Sequence, residues 1–480
     1  MFSIEILNVL FFLYLSYYFA SLLTIFKNMS YEIVIIIIFV LGYMAIALEH
    51  NIKVDKAAPA LLIAVLCWTV YIVAEGILPH NEEKIHEIVH GHEQGLLMHL
   101  AETSQILFFL LCAMTIVEVI DAHQGFEVIT KRITTQDKRK LIWIICLVTF
   151  FLSAALDNLA TTIVMVSMLR KLVTDKNDRL IYVSMVVIAA NAGGAWSPIG
   201  DVTTTMLWIG GQVTTVNIIK TLILPSIICL LAPLTVITFM LKGDLKVPKK
   251  GTLDAVGHGG HAPINVRESD RNLVFGIGLA GLLFVPVFKT ITHLPPFMGM
   301  SFSLGVIWLT TEILHNRKKA EDGAHGKLSV VAILERVDVP SVLFFFGILL
   351  AVGCLQSMGT LNKLALLLDT TFTGEGGLYV IGLLLGLMSA IVDNVPLVAA
   401  SMGMYDLSVY PPDHVFWEFI AYCAGTGGST LIIGSAAGVA AMGMEHINFM
   451  WYLKKIAWLS LIGYIAGAAV FMAIQLFVVH

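Results

Sequence analysis

Charged side chains are scarce in this sequence. They make up 13% of its 480 residues, while 58% of the residues are hydrophobic. A soluble protein of ordinary composition carries about 25% charged residues. This shortage excludes a soluble globular protein and predicts an all-α polytopic membrane protein.

Cysteine is also rare. The chain has six cysteines, and all of them fall inside apolar runs. This placement is typical of small core residues and argues against a disulfide framework or a metal–thiolate site. The N-terminus carries no basic stretch before its first apolar run, so we expect a retained first helix and not a cleaved signal peptide.

Long apolar runs dominate the chain, and a helix needs about 20 apolar residues to cross a bilayer. We expect about 11 transmembrane helices plus two re-entrant hairpins. The candidate spans lie near 4–26, 32–48, 57–78, 99–121, 180–215, 218–241, 272–290, 296–314, 339–357, 414–445 and 449–478, and the hairpins at 140–172 and 376–406.

Each predicted hairpin contains a polar stretch that is repeated in the other. SAALDNLATT begins at Ser153, and SAIVDNVP begins 236 positions later, at Ser389. Each stretch places an Asp–Asn pair inside an apolar run. A carboxylate at membrane depth is costly, so it marks a functional site by default. The shared register indicates an internal duplication, as in many secondary transporters.

Loop charges indicate how the duplication is oriented. Stretches 122–140, 170–179, 242–271 and 315–337 are basic, whereas 79–98, 358–376 and 407–413 are poor in Lys and Arg. The positive-inside rule places the basic stretches in the cytoplasm. Two arms of about 16 residues give about 24 Å of helix each, short of a full crossing. We therefore expect a first hairpin entering from inside, a second entering from outside, and an inverted-topology repeat.

A second polar interruption follows each hairpin. NAGGAWSPIGDVTTT spans 191–205, and GTGGSTLIIGS spans 425–435. Glycine permits backbone shapes that break a helix, and proline stops the helix before it. Non-helical backbone at membrane depth must be buried in protein or line a water-filled cavity. These stretches predict broken helices at 180–215 and 414–445 that meet the hairpin tips near the midplane.

The polar stretches are rich in oxygen and contain no Lys, Arg or His. Hard cations favour oxygen ligands, and an anion beside several carboxylates would be repelled. Carboxylates that share a buried site repel one another, so one of them can hold a proton that a metal cation displaces. This chemistry is sufficient for cation/proton exchange, with sodium bound at Asp157, Asp201 and Asp393.

These motifs resemble those of NhaD-type sodium/proton antiporters of the ion transporter superfamily. The likeness runs from about residue 98 to the C-terminus. It implies the inverted-repeat fold of divalent anion/sodium symporters, an elevator-like motion and a homodimer. The chain departs from those symporters by having Asp–Asn at its hairpin tips, which favours a cation over a carboxylate substrate. The residues implied in ion or proton handling are Ser153, Asp157, Asn158, Asp201, Thr203, Thr204, Ser389, Asp393, Asn394 and Ser429; the composition of the polar stretches adds Asn191.

We thus expect four regions: N-terminal helices with a His-rich outer loop (1–97), a first repeat (98–241), linking helices with basic loops (242–337) and a second repeat (338–480). The expected function is Na⁺ (or Li⁺)/H⁺ exchange in a bacterial inner membrane. The N-terminus would be cytoplasmic and the C-terminus outside. The expected partners are the lipid bilayer, sodium, protons and a second copy of the chain, with no cofactor and no nucleic acid.

Other interpretations stay open from the sequence. The symporter of a small anion is the alternative within transporters. The aspartates can also be read as helix caps that hydrogen-bond free N–H groups. In the outer loop, His86-Glu-Ile-Val-His90 fits HExxH, a weak match to a metalloprotease motif. His86, His90 and His92 could instead sense pH, because histidine titrates between pH 5 and 8.

Overall fold

The computed structural model describes residues 30–77, 82–131, 133, 135–241, 243–245, 266–318, 328–374 and 376–478. The first predicted span, 4–26, lies outside these residues. The described helices are α1 (Tyr31–Ala47), α2 (Glu49–Ile52), α3 (Ala57–Ile77), α4 (Glu82–Ala122), α5 (Glu127–Thr130), α6 (Lys138–Leu156), α7 (Asn158–Leu172), α8 (Lys176–Ala195), α9 (Val202–Ile209), α10 (Thr215–Met240), α11 (Glu268–Thr292), α12 (Pro296–Lys318), α13 (Val330–Leu334), α14 (Val339–Ser357), α15 (Thr360–Thr371), α16 (Gly377–Met388), α17 (Asn394–Met404), α18 (Val415–Gly427), α19 (Ala436–Glu445), α20 (Phe449–Lys455) and α21 (Ala457–Val478).

Among the described residues, eight helices are long and apolar enough to cross a membrane. They are α3, α4, α6, α10, α11, α12, α14 and α21. The chain is therefore an all-α polytopic membrane protein, as its composition predicts. Helix α6 is one of the eight, so length alone does not separate a re-entrant arm from a full crossing there.

The described residues form two compact units. The smaller one combines 1–101, as far as it is described, with 343–364. In this unit the Trp68 indole donates to the Leu350 carbonyl at 2.8 Å, and the Tyr71 hydroxyl donates to the Ser357 carbonyl at 3.2 Å. These bonds satisfy the polar tips of aromatic side chains that are otherwise buried in an apolar core.

The larger unit comprises 102–342 and 365–480 and contains both polar repeats. In its first repeat, helix α6 ends at Leu156 and α7 begins at Asn158. Lys138, the first residue of α6, forms a 2.7 Å ion pair with Asp178 near the beginning of α8. Arg179 donates to the carbonyl of Val173, just beyond the end of α7, at 3.0 Å. The outer ends of α6 and α7 thus lie against the same end of α8.

The second repeat has the corresponding arrangement. Helix α16 ends at Met388 and α17 begins at Asn394. Near the outer end of α16, the Tyr379 ring stands edge-on to Phe419, with centroids 5.3 Å apart. Tyr405, just after α17, packs on Phe416 at 4.7 Å. Both outer ends therefore meet the beginning of α18, as their counterparts meet α8.

Close backbone contacts join each helix pair to its broken helix. The Ser153 hydroxyl donates to the Ala190 carbonyl at 2.6 Å, and the Ser389 hydroxyl donates to the Ala424 carbonyl at 3.0 Å. A Cβ at Gly193 would overlap the Phe150 carbonyl oxygen, so glycine alone allows this approach of α8 to α6. Gly427 lies in the same way against Gly386, and thereby brings α18 against α16.

Candidate ion-binding site

Three aspartates, Asp157, Asp201 and Asp393, stand where helices α7, α9 and α17 begin. Each accepts a hydrogen bond from a backbone N–H of the first turn: Asp157 from Ala160 at 2.7 Å, Asp201 from Thr203 at 2.8 Å and Asp393 from Val395 at 3.2 Å. All three are helix N-caps, which satisfy donors that the helix leaves free. The capping interpretation is correct, and it leaves a carboxylate oxygen of each residue for other partners.

A chain of side-chain hydrogen bonds begins at Asp201, which is 1% exposed. Its Oδ2 accepts from the Asn158 amide at 2.6 Å, and the same amide reaches Asn191 Oδ1 at 3.0 Å. The Asn191 amide in turn donates to the hydroxyl oxygens of Ser429 at 2.8 Å and Ser435 at 2.9 Å. This chain of hydrogen bonds links the beginning of α7 to both broken helices.

Five further predicted site residues are buried. Thr203 donates from its hydroxyl to Asp201 Oδ1 at 2.7 Å, and Thr204 donates to the Asp201 carbonyl at 3.0 Å. Ser153 and Ser389 instead bind main-chain carbonyls of α8 and α18. Asn394 is 4% exposed at the beginning of α17. The structure thus brings together oxygens from sequence segments more than 200 residues apart.

The three aspartates share no single coordination point. Among the described residues, no group of three Asp, Glu, His or Cys side chains is arranged to hold a metal ion. A cation at this site would therefore take one carboxylate, together with amide, hydroxyl and carbonyl oxygens, as its ligands.

Asp157 has a strained backbone and borders two small cavities. Its φ of 109° lies in the left-handed region, which costs energy for a residue with a side chain. A cavity of about 60 Å³ reaches it past Glu118, Asp121 and Asp338. A cavity of about 10 Å³ lies between it and Thr205 in α9. Asp157 thus lines both of these cavities.

Two further polar sites lie apart from this hydrogen-bonded chain. Asp338 accepts hydrogen bonds from the Ser341 backbone N–H and from its hydroxyl, as a helix N-cap does. The side chains of His86, His90 and His92 lie outside the described residues, so pH sensing there stays a prediction.

Comparison with known proteins identifies the family. A profile of the citrate transporter family, CitMHS, matches residues 43–418. Sodium/proton antiporter 1 of Arabidopsis thaliana is 45% identical over 444 residues, covering 92% of this chain and 73% of the relative. Sodium/proton antiporter 2 of the same plant is 44% identical over 447 residues, covering 92% and 99%. Na(+)/H(+) antiporter NhaD of Alkalimonas amylolytica is 30% identical over 462 residues, covering 91% and 89%. The chain is an NhaD-type member of this family.

Membership of the NhaD-type family confirms the resemblance seen in the motifs. It also makes the chain a transporter and not an enzyme, so the HExxH-like match marks no protease.

The NhaD-type chain also contains contacts between its repeats that sequence reasoning missed. Glu445, at the end of α19, binds Arg170 at 2.6 Å and Arg179 at 2.8 Å. Asp413, before α18, accepts from the Thr214 backbone N–H at 2.6 Å and from its hydroxyl at 2.7 Å. Arg179 and Asp413 are 234 positions apart, so they occupy equivalent positions in the register of the broken helices, but that register does not indicate which residues they contact.

Proposed function

We propose that this protein exchanges cytoplasmic sodium, or lithium, for external protons. The observation that carries the proposal is the buried carboxylate of Asp201, which is held by Asn158 in a surrounding of amide and hydroxyl oxygens. Relatives at 30% to 45% identity over nine-tenths of the chain are named sodium/proton antiporters. A buried carboxylate that binds either a proton or a hard cation is the minimum that such exchange needs.

In this mechanism sodium and protons compete for the same aspartates. Sodium entering beside Asp157 would displace a proton, and the loaded site would then become accessible from the other side. Protons arriving there would release the sodium, so the proton gradient drives sodium outward. Because the two charges compete for the same oxygens, neither gradient can dissipate freely through the site. The result would serve salt and pH homeostasis.

We further propose that α6–α7 and α16–α17 are re-entrant hairpins of two inverted repeats, with about eleven full spans besides. Support comes from the outer ends of both pairs, which return to the beginning of α8 and of α18. Helices α16 and α17 have 12 and 11 residues, too short to cross a bilayer. We place the protein in a bacterial inner membrane as a homodimer, with the N-terminus inside and the C-terminus outside.

A symporter of a small anion is the second candidate, and the family description as a citrate transporter is what favours it. An anion pocket normally offers Arg, Lys or several free N–H groups. The four polar stretches contain no Lys, Arg or His, and their helix N-termini at Asp157, Asp201 and Asp393 are already occupied by carboxylates. Exchange of cations is therefore the stronger proposal.

The test uses inverted membrane vesicles with an imposed proton gradient and a fluorescent reporter of internal pH. Addition of sodium or lithium should collapse the gradient, and potassium or citrate should not. Vesicles from cells lacking the protein, and vesicles with Asp157→Asn, are the controls and should show no response. Uptake of labelled citrate with no sodium response between pH 6.5 and 9.5 would replace the antiporter by the symporter.

A further inference from the structure

The two broken helices have equivalent positions with different side chains. In the register of 234, Asn191 corresponds to Gly425, and Asp201 corresponds to Ser435. The same register relates Ala195 to Ser429. In the register of 236 that relates the hairpins, Asn158 corresponds to Asn394.

At one set of these positions, the amide side chain of Asn191 fills the space between the hairpin residue and the two serines. Asn191 lies between Asn158 and the hydroxyls of Ser429 and Ser435, and it makes hydrogen bonds of 2.8 to 3.0 Å to all three. The Asn191 side chain thereby occupies the space between the two serine hydroxyls and Asn158.

At the equivalent set of positions there is no such amide, because Gly425 stands in place of Asn191. A Cβ at Gly425 would lie 3.2 Å from the Ala195 Cβ and 3.9 Å from Asp201 Oδ2. Gly425 therefore lies beside the equivalents of both serines. Ala195, the equivalent of Ser429, has no hydroxyl, and Asp201, the equivalent of Ser435, carries a negative charge. At these equivalent positions, an amide and two hydroxyls in one repeat correspond to a glycine, an alanine and a carboxylate in the other.

Asn394 is the fourth member of this second set. Its helix α17 packs on both α9, which carries Asp201 at its N-cap, and α18, which contains Gly425. Asn394 is 4% exposed, and its carboxamide forms no hydrogen bond with the part of the chain that the structure describes. Its amide oxygen is therefore available as a ligand for a hard cation.

We propose that the transported cation binds beside Gly425, in the position that the Asn191 amide occupies in the other repeat. Its ligands there are Asp201 Oδ2 and the Asn394 carbonyl oxygen. Gly425 and Ala195 then set the size of the cation that fits. This inference rests on the proposed sodium/proton exchange and adds where the ion lies and what selects it.

The proposal is tested by measuring sodium and lithium exchange for Gly425→Ala in the vesicle assay. A methyl group 3.9 Å from Asp201 Oδ2 narrows the approach to the carboxylate, and sodium is larger than lithium. We expect the apparent affinity for sodium to fall by about tenfold or more, as for one added methyl in a fitted pocket. The affinity for lithium should fall less, so the ratio of the apparent affinities for sodium and lithium should change.

Two further variants separate ion selection from disturbed packing. The double variant Gly425→Ala with Ala195→Gly removes the 3.2 Å crowding but keeps the methyl group beside Asp201. It should keep the altered ratio. Gly443→Ala, in α19 with no heavy atom within 4 Å of the added carbon, is the matched control and should behave like the unmodified protein.

Stabilisation by ions gives a readout that does not depend on transport. Sodium should raise the melting temperature of the purified unmodified protein, since a ligand of the folded state stabilises it. It should do so less for Gly425→Ala and not at all for Gly425→Asn, whose amide would fill the site. An unchanged ratio and unchanged sodium stabilisation in all three Gly425 variants would overturn the inference. Absence of sodium exchange in the unmodified protein would instead overturn the proposed function.

Discussion

The Asn158 amide donates to Asp201 Oδ2 at 2.6 Å, although 43 positions separate the two residues. Asn158 opens the second arm of the first helix pair, and Asp201 caps the second half of the broken helix. The bond fixes the direction of the carboxylate, and Thr203 binds its other oxygen. One Asp201 oxygen therefore caps α9, and the other is held by the first residue of α7.

Replacing each aspartate by asparagine should separate capping from ion binding. Asparagine is as good an N-cap as aspartate, and it tolerates the positive φ of Asp157. Asp157→Asn, Asp201→Asn and Asp393→Asn should therefore yield folded protein that shows no sodium-dependent collapse of the proton gradient. Asp157→Ala should in addition lose about 1 kcal/mol of stability with the cap. Full exchange by all three asparagine variants would disprove the site assignment.

A methyl group at Gly193 should prevent correct folding. It would overlap the Phe150 carbonyl oxygen, a main-chain atom that cannot turn aside. We expect the free energy of unfolding to fall by about 3 kcal/mol or more, which would be seen as a strong reduction in the yield of folded protein in detergent. Gly427→Ala should have the same effect, because its methyl group would overlap the Gly386 carbonyl oxygen. Gly276→Ala, with open space around the added carbon, is the control and should retain normal yield and melting temperature.

Loss of the Glu445 charge should destabilise the larger unit. The Glu445 side chain is 3% exposed and balances two arginines from the first repeat. Glu445→Gln should cost about 3 kcal/mol at most, because the arginines are partly solvated. Glu268 also pairs with an arginine, Arg271, but the Glu268 side chain is 77% exposed. Glu268→Gln should therefore lower the free energy of unfolding by less than about 1 kcal/mol. Equal melting temperatures for these two variants would contradict the prediction.

The carboxylate of Glu118 should assist entry of the cation. It lines the cavity that leads to Asp157, together with Asp121 and Asp338. Glu118→Gln should raise the sodium concentration for half-maximal exchange several-fold while the maximal rate changes less, since the cavity concentrates cations before they bind. The effect should weaken with added choline chloride, which screens charge. Asp406→Asn, an exposed carboxylate outside this cavity, is the control.

Much of the site was accessible from sequence because its cause is local. A carboxylate inside an apolar run is expensive wherever the chain folds, so Asp157, Asp201 and Asp393 could be chosen without coordinates. The glycines at 193 and 194 likewise indicated a helix break, and α8 ends at Ala195. The repeated register also predicted which segments would correspond.

Only the tertiary structure determined which residues contact each other. Asn191 could be named as a site residue, but its bonds to Ser429 and Ser435 join segments whose distance in sequence carries no record of their contact. The same holds for Glu445 with Arg170 and Arg179. Hydropathy and the cost of buried charge depend on each residue's own chemistry, so the sequence determined the membrane class and the candidate aspartates. Selection of an ion depends on the space between side chains, and packing alone determines that Gly425 faces Asp201.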